Sequence, residues 1–184
     1  VPLFIIERPV VNMISLKELI ELEPDLVKKI TAWYNDPLIA CFIHPNFEEK
    51  PMTAMDENDT LKALSPKDHT YRYIVYDDAT AIGEVSLTRD FHWLVKSEPK
   101  TAWISILIGD QSYWRQGAAS QAMSLLEDII RQQGYQRIEL GVFANNVKAQ
   151  GLYQKLGYTP CAVIPHFTFI DGIWVDDIRM DKFL

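Results

Sequence analysis

From Ile108 onward the sequence alternates strand and helix signals in an order that few folds accommodate. The apolar run Ala102–Ile108 meets Gly109, and a polar turn follows to Gly117. Ala119, Ala122, Met123, Leu126, Ile129 and Ile130 then recur at helical spacing, and Gly134 stands where a helix C′ residue belongs. Ile138, Leu140 and Val142 alternate with Glu139 and Gly141, the period of a strand. Asn146 is placed to cap a second helix carrying Ala149, Leu152, Tyr153 and Leu156, closed by Gly157. Two last strands, around Ala162–Ile170 and Ile173–Met180, flank Asp171-Gly172, a hairpin signal. Because Ala102–Ile108 is apolar at nearly every position, it is expected to be buried on both faces.

Upstream, Tyr71, Tyr73 and Val75 alternate with Arg72 and Ile74, Asp77-Asp78 turns the chain, and Ala81–Thr88 returns. With Ala102–Ile108 these make a meander of antiparallel strands. The first third is less regular. Met13 begins a helical-looking pattern, and Leu16, Leu19, Ile20 and Leu22 crowd a segment before Glu23-Pro24. Asp25 is expected to cap a helix through Leu26, Ile30 and Trp33 that stops at Asn35-Asp36-Pro37. From Pro37 to His69 the chain reads as irregular and acidic, with one short helix around Thr60–Leu64. Such a stretch is usually a substrate-side loop or lid.

At 184 residues, 48% of them hydrophobic and 23% charged, the chain fits one domain, with 1–70 as a substrate-side part and 71–184 as the sheet-forming part. Eighteen Lys and Arg against 25 Asp and Glu give a net charge of −7, which argues against nucleic acid or an anionic membrane as partner and suits a cationic substrate. Cys41 and Cys161 stand alone and the four histidines are scattered, so no disulfide framework or metal site is expected. Val1–Val11 lacks the basic start and long apolar core of a signal peptide, and no run approaches the roughly 18 apolar residues of a spanning helix. A soluble, cytoplasmic protein, monomer or homodimer, is expected.

The turn Ile108-Gly109-Asp110-Gln111-Ser112-Tyr113-Trp114-Arg115-Gln116-Gly117-Ala118-Ala119-Ser120 has the chemistry of an anion site. The first N–H groups of a helix lack internal partners, and the macrodipole adds about half a positive charge. Small side chains admit a phosphate to the backbone, and Arg115 adds a mobile cation. Tight helix–sheet packing would use the same small residues, so the pattern alone leaves both readings open. The Gly-Lys-Ser/Thr of a P-loop and the Gly-x-Gly-x-x-Gly of a dinucleotide fold are absent.

Trp114-Arg115-Gln116-Gly117-Ala118-Ala119 followed by a helix resembles the pyrophosphate loop of GNAT N-acetyltransferases, Arg/Gln-x-x-Gly-x-Gly/Ala, with Trp114 in place of the first Arg/Gln and Ala119 for the last glycine. Asn146-Val147-Lys148-Ala149-Gln150-Gly151-Leu152-Tyr153-Gln154-Lys155-Leu156-Gly157-Tyr158 resembles that superfamily's Asn-x-x-Ala-x-x-Leu-Tyr-x-Lys-Leu-Gly-Phe signature. The Asp171–Asp176 hairpin ending in Met180 resembles the tail of the RimJ/RimL-like branch. The likeness covers Tyr71–Leu184.

This resemblance implies an α+β GNAT acyl-CoA N-acyltransferase fold: a mixed, mostly antiparallel central sheet flanked by helices, with two splayed strands, Ala102–Ile108 and Ile138–Phe143, forming the CoA cleft. It implies acetyl-CoA as co-substrate and no metal. Backbone groups of Leu107, Ile108 and Gly109 would pair with the pantetheine arm, and an N–H of that strand would hold the developing oxyanion. Arg115, Gln116, Gly117, Ala118, Ala119 and Ser120 would cradle the pyrophosphate, and Asn146 would bond a pantetheine amide. Tyr153 would protonate the departing thiolate, although its place beside Ala149 and Leu156 also suits simple packing. Glu84, with Asp110 and His166 as alternatives, would take the amine proton, unless water relays it. Asp176 and Asp177 read as solvated hairpin ends or as an anchor for a cationic acceptor. The acceptor is a primary amine, either a small molecule or a protein N-terminus. The alternative is a non-catalytic GNAT-like module that binds CoA or a partner.

Overall fold

The computed structural model describes residues 13–67 and 69–184, so Val1–Val11 lie outside it. The helical-looking start is a strand, β1 (Ile14–Glu18), because the free edge of β2 (Thr70–Asp77) offers it a ladder from Ile14↔Asp77 to Glu18↔Tyr73. The first helix, α1 (Pro24–Tyr34), starts two residues earlier than expected, with Glu23 rather than Asp25 at its N-cap. Pro24 has no N–H to leave unpaired and its φ suits the first turn, so Asp25 lies inside the helix rather than capping it.

Pro37–Ile43 is helical rather than irregular. This helix, α2, repeats the same device: Pro37 opens it, and the Asp36 side chain accepts from Leu38 N–H at 2.9 Å. Next, α3 (Glu57–Leu64) is longer than the Thr60–Leu64 core expected of it. A reciprocal capping box between Asp56 and Asp59 extends its start.

The strands β3 (Thr80–Arg89), β4 (Thr101–Ile108), β5 (Arg137–Phe143), β6 (Thr159–Ile170) and β7 (Ile173–Phe183) complete a sheet of order β1-β2-β3-β4-β5-β7-β6 among the described residues. Its neighbours are antiparallel except for the parallel pair β4–β5. Helix α4 (Ala118–Gln132) joins that pair, and α5 (Val147–Lys155) follows β5.

The two faces differ in chemistry. On one, Ala122, Met123, Leu126 and Ile130 of α4 meet Ala102, Ile104, Ile138 and Leu140 in a continuous apolar core. On the other, Ile30, Trp33 and Tyr34 of α1, Ile39 of α2 and Leu64 of α3 cover Ile74, Ala81 and Leu107. The expectation that β4 is buried on both faces fails at its middle, where Ser105 is exposed and Trp103 and Ile106 are half-buried. The reason is its partner, which leaves it partway along.

Candidate functional site

The parallel pair is short. Thr101↔Arg137, Ala102↔Ile138 and Trp103↔Glu139 are in register, and beyond Trp103 the strands part: β4 continues beside β3 as far as Ile108↔Gly83, and β5 beside β7 as far as Phe143↔Asp177. The Gly109 N–H donates to the Ile82 carbonyl at 2.9 Å. By the alternation of an antiparallel ladder, the backbone groups of Ile104, Ile106 and Ile108 therefore turn toward β5, into the gap. The Ile108 carbonyl accepts the Trp114 indole N–H at 2.8 Å. Leu107 faces the α1–α3 side and Ile108 the α4 side. A side chain at Gly109 would fall 2.1 Å from the Trp33 ring, so a glycine is needed where α1 closes on the end of β4.

The loop beyond is built from side-chain braces. Asp110 accepts from the Ser112 N–H at 3.0 Å and its hydroxyl at 2.6 Å, setting a short 3-10 turn over Gln111–Tyr113. Gln116 donates its amide to the Ser112 carbonyl. Arg115 is exposed with φ +63°, and Gly117, at φ +86°, is the N-cap of α4 with no capping side chain. A left-handed N-cap favours glycine, and the helix's first N–H groups are left to an outside acceptor. Ala118 is fully buried in the core, while Ala119 and Ser120 are half-buried. Ala118 therefore packs, while Arg115 and Gly117 stand at the surface with Gln116 half-buried between them.

On α5, the Asn146 side chain accepts from Ala149 N–H at 3.2 Å, the expected cap. Tyr153 is buried in the α4-side core, edge-on to Tyr158 at 5.9 Å. Tyr158 is itself fixed by a 3.0 Å bond to Glu127 of α4. Burial alone pushes the Tyr153 hydroxyl up to about 12, so it keeps its proton through the neutral range.

Of the three candidate bases, Glu84 is the buried one. Asp110 is spent on the loop brace, and His166 is exposed in a bulge of β6, its N–H donating to Asp176 at 2.9 Å. Glu84 lies opposite Leu107 on the α1–α3 face, one strand from the gap. Its Oε1 accepts from Tyr34 at 2.5 Å, and its Oε2 is buried with no partner among the described residues. Burial raises the Glu84 carboxyl, and the Tyr34 hydrogen bond and then Arg72 hold it down in part. Nearby, Ser86 and Ser105 share a 2.6 Å bond across β3 and β4. Tyr34 and Trp114 are absent from the sequence-based site. Trp114 stands at the Arg/Gln position of the wider loop motif, and its indole moors the loop to β4.

At the closed end of β4–β5 lies a buried ionic cluster. Arg137 reaches Glu139 at 2.7 Å and Asp181 at 2.9 Å, and Lys96 reaches Asp181 at 3.0 Å. Burial would raise the Asp181 carboxyl, but hydrogen bonds from Arg137 and Lys96 prevail and hold it below the usual range. Arg179 bonds Asp177 at 2.6 Å, so Asp177, 2% exposed, is no solvated hairpin end. The 91–100 loop is tied across the same place. Val95 N–H donates to Glu139 at 2.8 Å, Arg179 donates to the Trp93 carbonyl at 3.1 Å, and Phe91 stacks on Trp103 at 4.5 Å. Two open grooves, of about 650 and 330 Å³, are lined by Tyr71, Arg89 and Lys100 and by Lys17, Leu26 and Tyr76; neither includes Glu84, Tyr153 or the 110–120 loop. Among the described residues no cluster suits a metal ion and no helix is long and apolar enough to cross a membrane.

A sheet split at a parallel pair, with a helix N-terminus at the open end, defines a class: the acyl-CoA N-acyltransferase fold. The model of the acetyltransferase (GNAT) family matches residues 27–158. The chain belongs to that family and is an acetyl-CoA-dependent N-acetyltransferase by that membership. No curated protein matches the chain in sequence. Among solved structures it is similar to spermidine N-acetyltransferase from Vibrio cholerae in complex with CoA and spermine, at 22% identity and TM-score 0.72, covering 92% of this chain and 95% of that one. An N-acetyltransferase from Staphylococcus aureus Mu50 is 18% identical, with TM-score 0.70 over 94% and 99%. A ribosomal-protein-alanine N-acetyltransferase from Brucella melitensis is 17% identical, with TM-score 0.70 over 94% and 100%. At these identities the likeness shows the fold.

Proposed function

We propose that this chain, acting as one domain, moves an acetyl group from acetyl-CoA to a primary amine by direct attack, as a cytoplasmic enzyme of the RimJ/RimL-like branch and as a monomer or homodimer. The observation that carries the reading is the parting of β4 from β5 after Trp103, with the uncapped start of α4 at the open end.

The residues present fit the co-substrate. Leu107, Ile108 and Gly109 flank its thioester arm, and the Ile108 N–H, turned into the gap, is the donor for the oxygen that gains charge during attack. Arg115, Gln116, Gly117, Ala118, Ala119 and Ser120 take the pyrophosphate. Asn146, whose side-chain oxygen caps α5, offers its amide N–H to the pantetheine.

Glu84 takes one proton from the incoming ammonium and frees the nitrogen lone pair. Tyr153 gives its proton to the sulfur as the C–S bond breaks, and recovers one from the nitrogen as the amide forms. Ammonium and thioester thus become amide, thiol and one released proton. The acceptor is a small-molecule amine or a protein N-terminus. The net charge of −7 and the spermine in the Vibrio cholerae relative support a cationic one.

Thiol release measured over polyamines and N-terminal peptides tests this. Glu84→Gln and Tyr153→Phe should each keep acetyl-CoA binding and lose about 10²- to 10⁴-fold in kcat/KM. Unchanged rates in both variants would remove these residues from the chemistry.

A further inference from the structure

The larger open groove, about 650 Å³, lies at the closed end of the β4–β5 pair. Tyr71, Arg89, Asp90 and Lys100 line it together with the 133–135 turn after α4. The 15 residues of α4, about 22 Å, separate that turn from the Gly117 end. Arg89 is half-buried and lacks a countercharge, since none of the described carboxylates pairs with it. One guanidinium nitrogen donates to the Tyr71 hydroxyl, the guanidinium lies 4.5 Å from the Tyr71 ring centre, and Nε is buried with no partner. Tyr135 is the second phenol against it, and burial raises that hydroxyl, so it stays neutral. Phenols can accept from a guanidinium but do not balance its charge, and a half-buried cation left unbalanced is costly.

Both cations of the groove are set by backbone bonds. The Arg89 N–H donates to the His69 carbonyl at 2.7 Å, and the residue pairs with Ala102 of β4. The Lys100 carbonyl accepts from the Gln136 and Arg137 N–H groups at 2.9 and 3.3 Å, while its side chain is exposed. The groups that could neutralise them are engaged elsewhere. Asp90 lies 3.5 Å from His69 Nδ1, with its side chain 81% exposed. At the negative end of α4, the Ile129, Ile130 and Arg131 carbonyls accept from the Gln133, Tyr135 and Gly134 N–H groups. Two cations against one diverted carboxylate give the groove a positive balance on a chain of net charge −7.

We propose that this groove is an anion site distinct from the α4 loop, in which Arg89 and Lys100 hold the carboxylate or phosphate oxygens of a small acidic ligand. A guanidinium matches such oxygens with paired N–H groups, and the Lys100 ammonium adds a compact charge. Because Arg89 ends β3, Lys100 precedes β4 and Tyr135 leads into β5, one ligand there bridges three strand ends.

Heteronuclear NMR of the full chain, reading the Arg89 Nε–H and the Lys100 backbone N–H, tests the site. Inorganic phosphate and succinate are the probes, with sodium chloride at matched ionic strength as the control. At least one probe should shift both signals saturably, and chloride should shift neither. A response to phosphate alone assigns a phosphorylated ligand, and a response to succinate alone assigns a carboxylate. Arg89→Gln, read at Lys100, should weaken binding about 10- to 100-fold. Lys100→Gln, read at Arg89, should cost less, and its exposed position keeps the test open should Arg89→Gln fail to fold. The acetyl-CoA thermal shift reports whether each variant is folded. Gly117→Glu should keep the Arg89 response, because the loop at the start of α4 is a separate place. No saturable shift from either probe, a chloride response of equal size, a response lost in Gly117→Glu, or undiminished binding in the folded variants overturns the inference.

Discussion

The two ends of the β4–β5 pair are opposites. At the closed end, three register pairs are locked by Arg137, Glu139, Asp181 and Lys96, with the 91–100 loop tied over them. At the open end, backbone groups of Ile104, Ile106 and Ile108 face a gap whose far side is β5. A parallel pair that stops after three residues leaves both strands with unpaired edges, and buried unpaired backbone is costly. The contrast indicates that the charged cluster holds two half-sheets together beside the gap.

The largest effect expected from breaking that contrast is at the closed end. Arg137→Met strips Glu139 and Asp181 of their main partner and should destabilise the fold by about 3–5 kcal/mol in urea unfolding. A loss within the scatter of a surface substitution would mean the cluster does not hold the half-sheets together. The pH dependence has a definite sign. Asp181 is held below its ordinary range, so its contribution is full above the unfolded carboxylate value of about 3.9 and fades as pH falls through the lower folded value. The gap between wild type and Arg137→Met should therefore narrow in acid. A gap that widens in acid would put the stabilisation elsewhere.

At the open end the effects fall on chemistry. Tyr153→Phe should cost about 2.7 kcal/mol of transition-state stabilisation, a hundredfold in rate, with little change in unfolding. A variant that unfolds more easily yet turns over normally would make Tyr153 a packing residue. Because burial raises Glu84, the acid limb of kcat/KM should lie above the usual carboxylate range, with activity lost as pH falls through it. A limb at the ordinary glutamate value would exclude Glu84 as the base. Smallest of all, Trp114→Phe removes the indole bond to Ile108 and should weaken acetyl-CoA binding by about 1 kcal/mol, several-fold in Kd. Unchanged affinity would mean the loop holds its shape without that tether.

What the sequence made legible follows from how local each signal is. Asn146 and Gly157 bracket α5, and Gly117 and Gly134 bracket α4, because caps and left-handed turns are written within a few residues. The same grammar recurs at Asp36-Pro37, but a Pro after a helical run also reads as its stop, so α2 is not separable from the end of α1 in the sequence. Glu84 was a candidate among three, and only tertiary burial separates it from Asp110 and His166. Tyr34 and His44 carry no local mark at all, since α1 brings Tyr34 to Glu84 across a long stretch of chain and the end of α2 sets His44 against Tyr34. The ionic cluster did leave a trace: Asp177, Arg179 and Asp181 alternate on β7 as Arg137 and Glu139 do on β5. Charge at period two on a strand otherwise built for a core signals internal pairing rather than a solvated end.

The central claim is that the open end of β4–β5 and the start of α4 hold acetyl-CoA. Thermal unfolding with and without acetyl-CoA, in wild type and Gly117→Glu, tests it most directly. At a hundred times its Kd the ligand should add about 2.7 kcal/mol, roughly 5–10 °C in Tm for a chain of this size. Gly117→Glu places a carboxylate at the helix start, on a left-handed backbone position, and should abolish the shift. An equal shift in the variant would place the ligand elsewhere, and no shift in the wild type at millimolar acetyl-CoA would contradict the account.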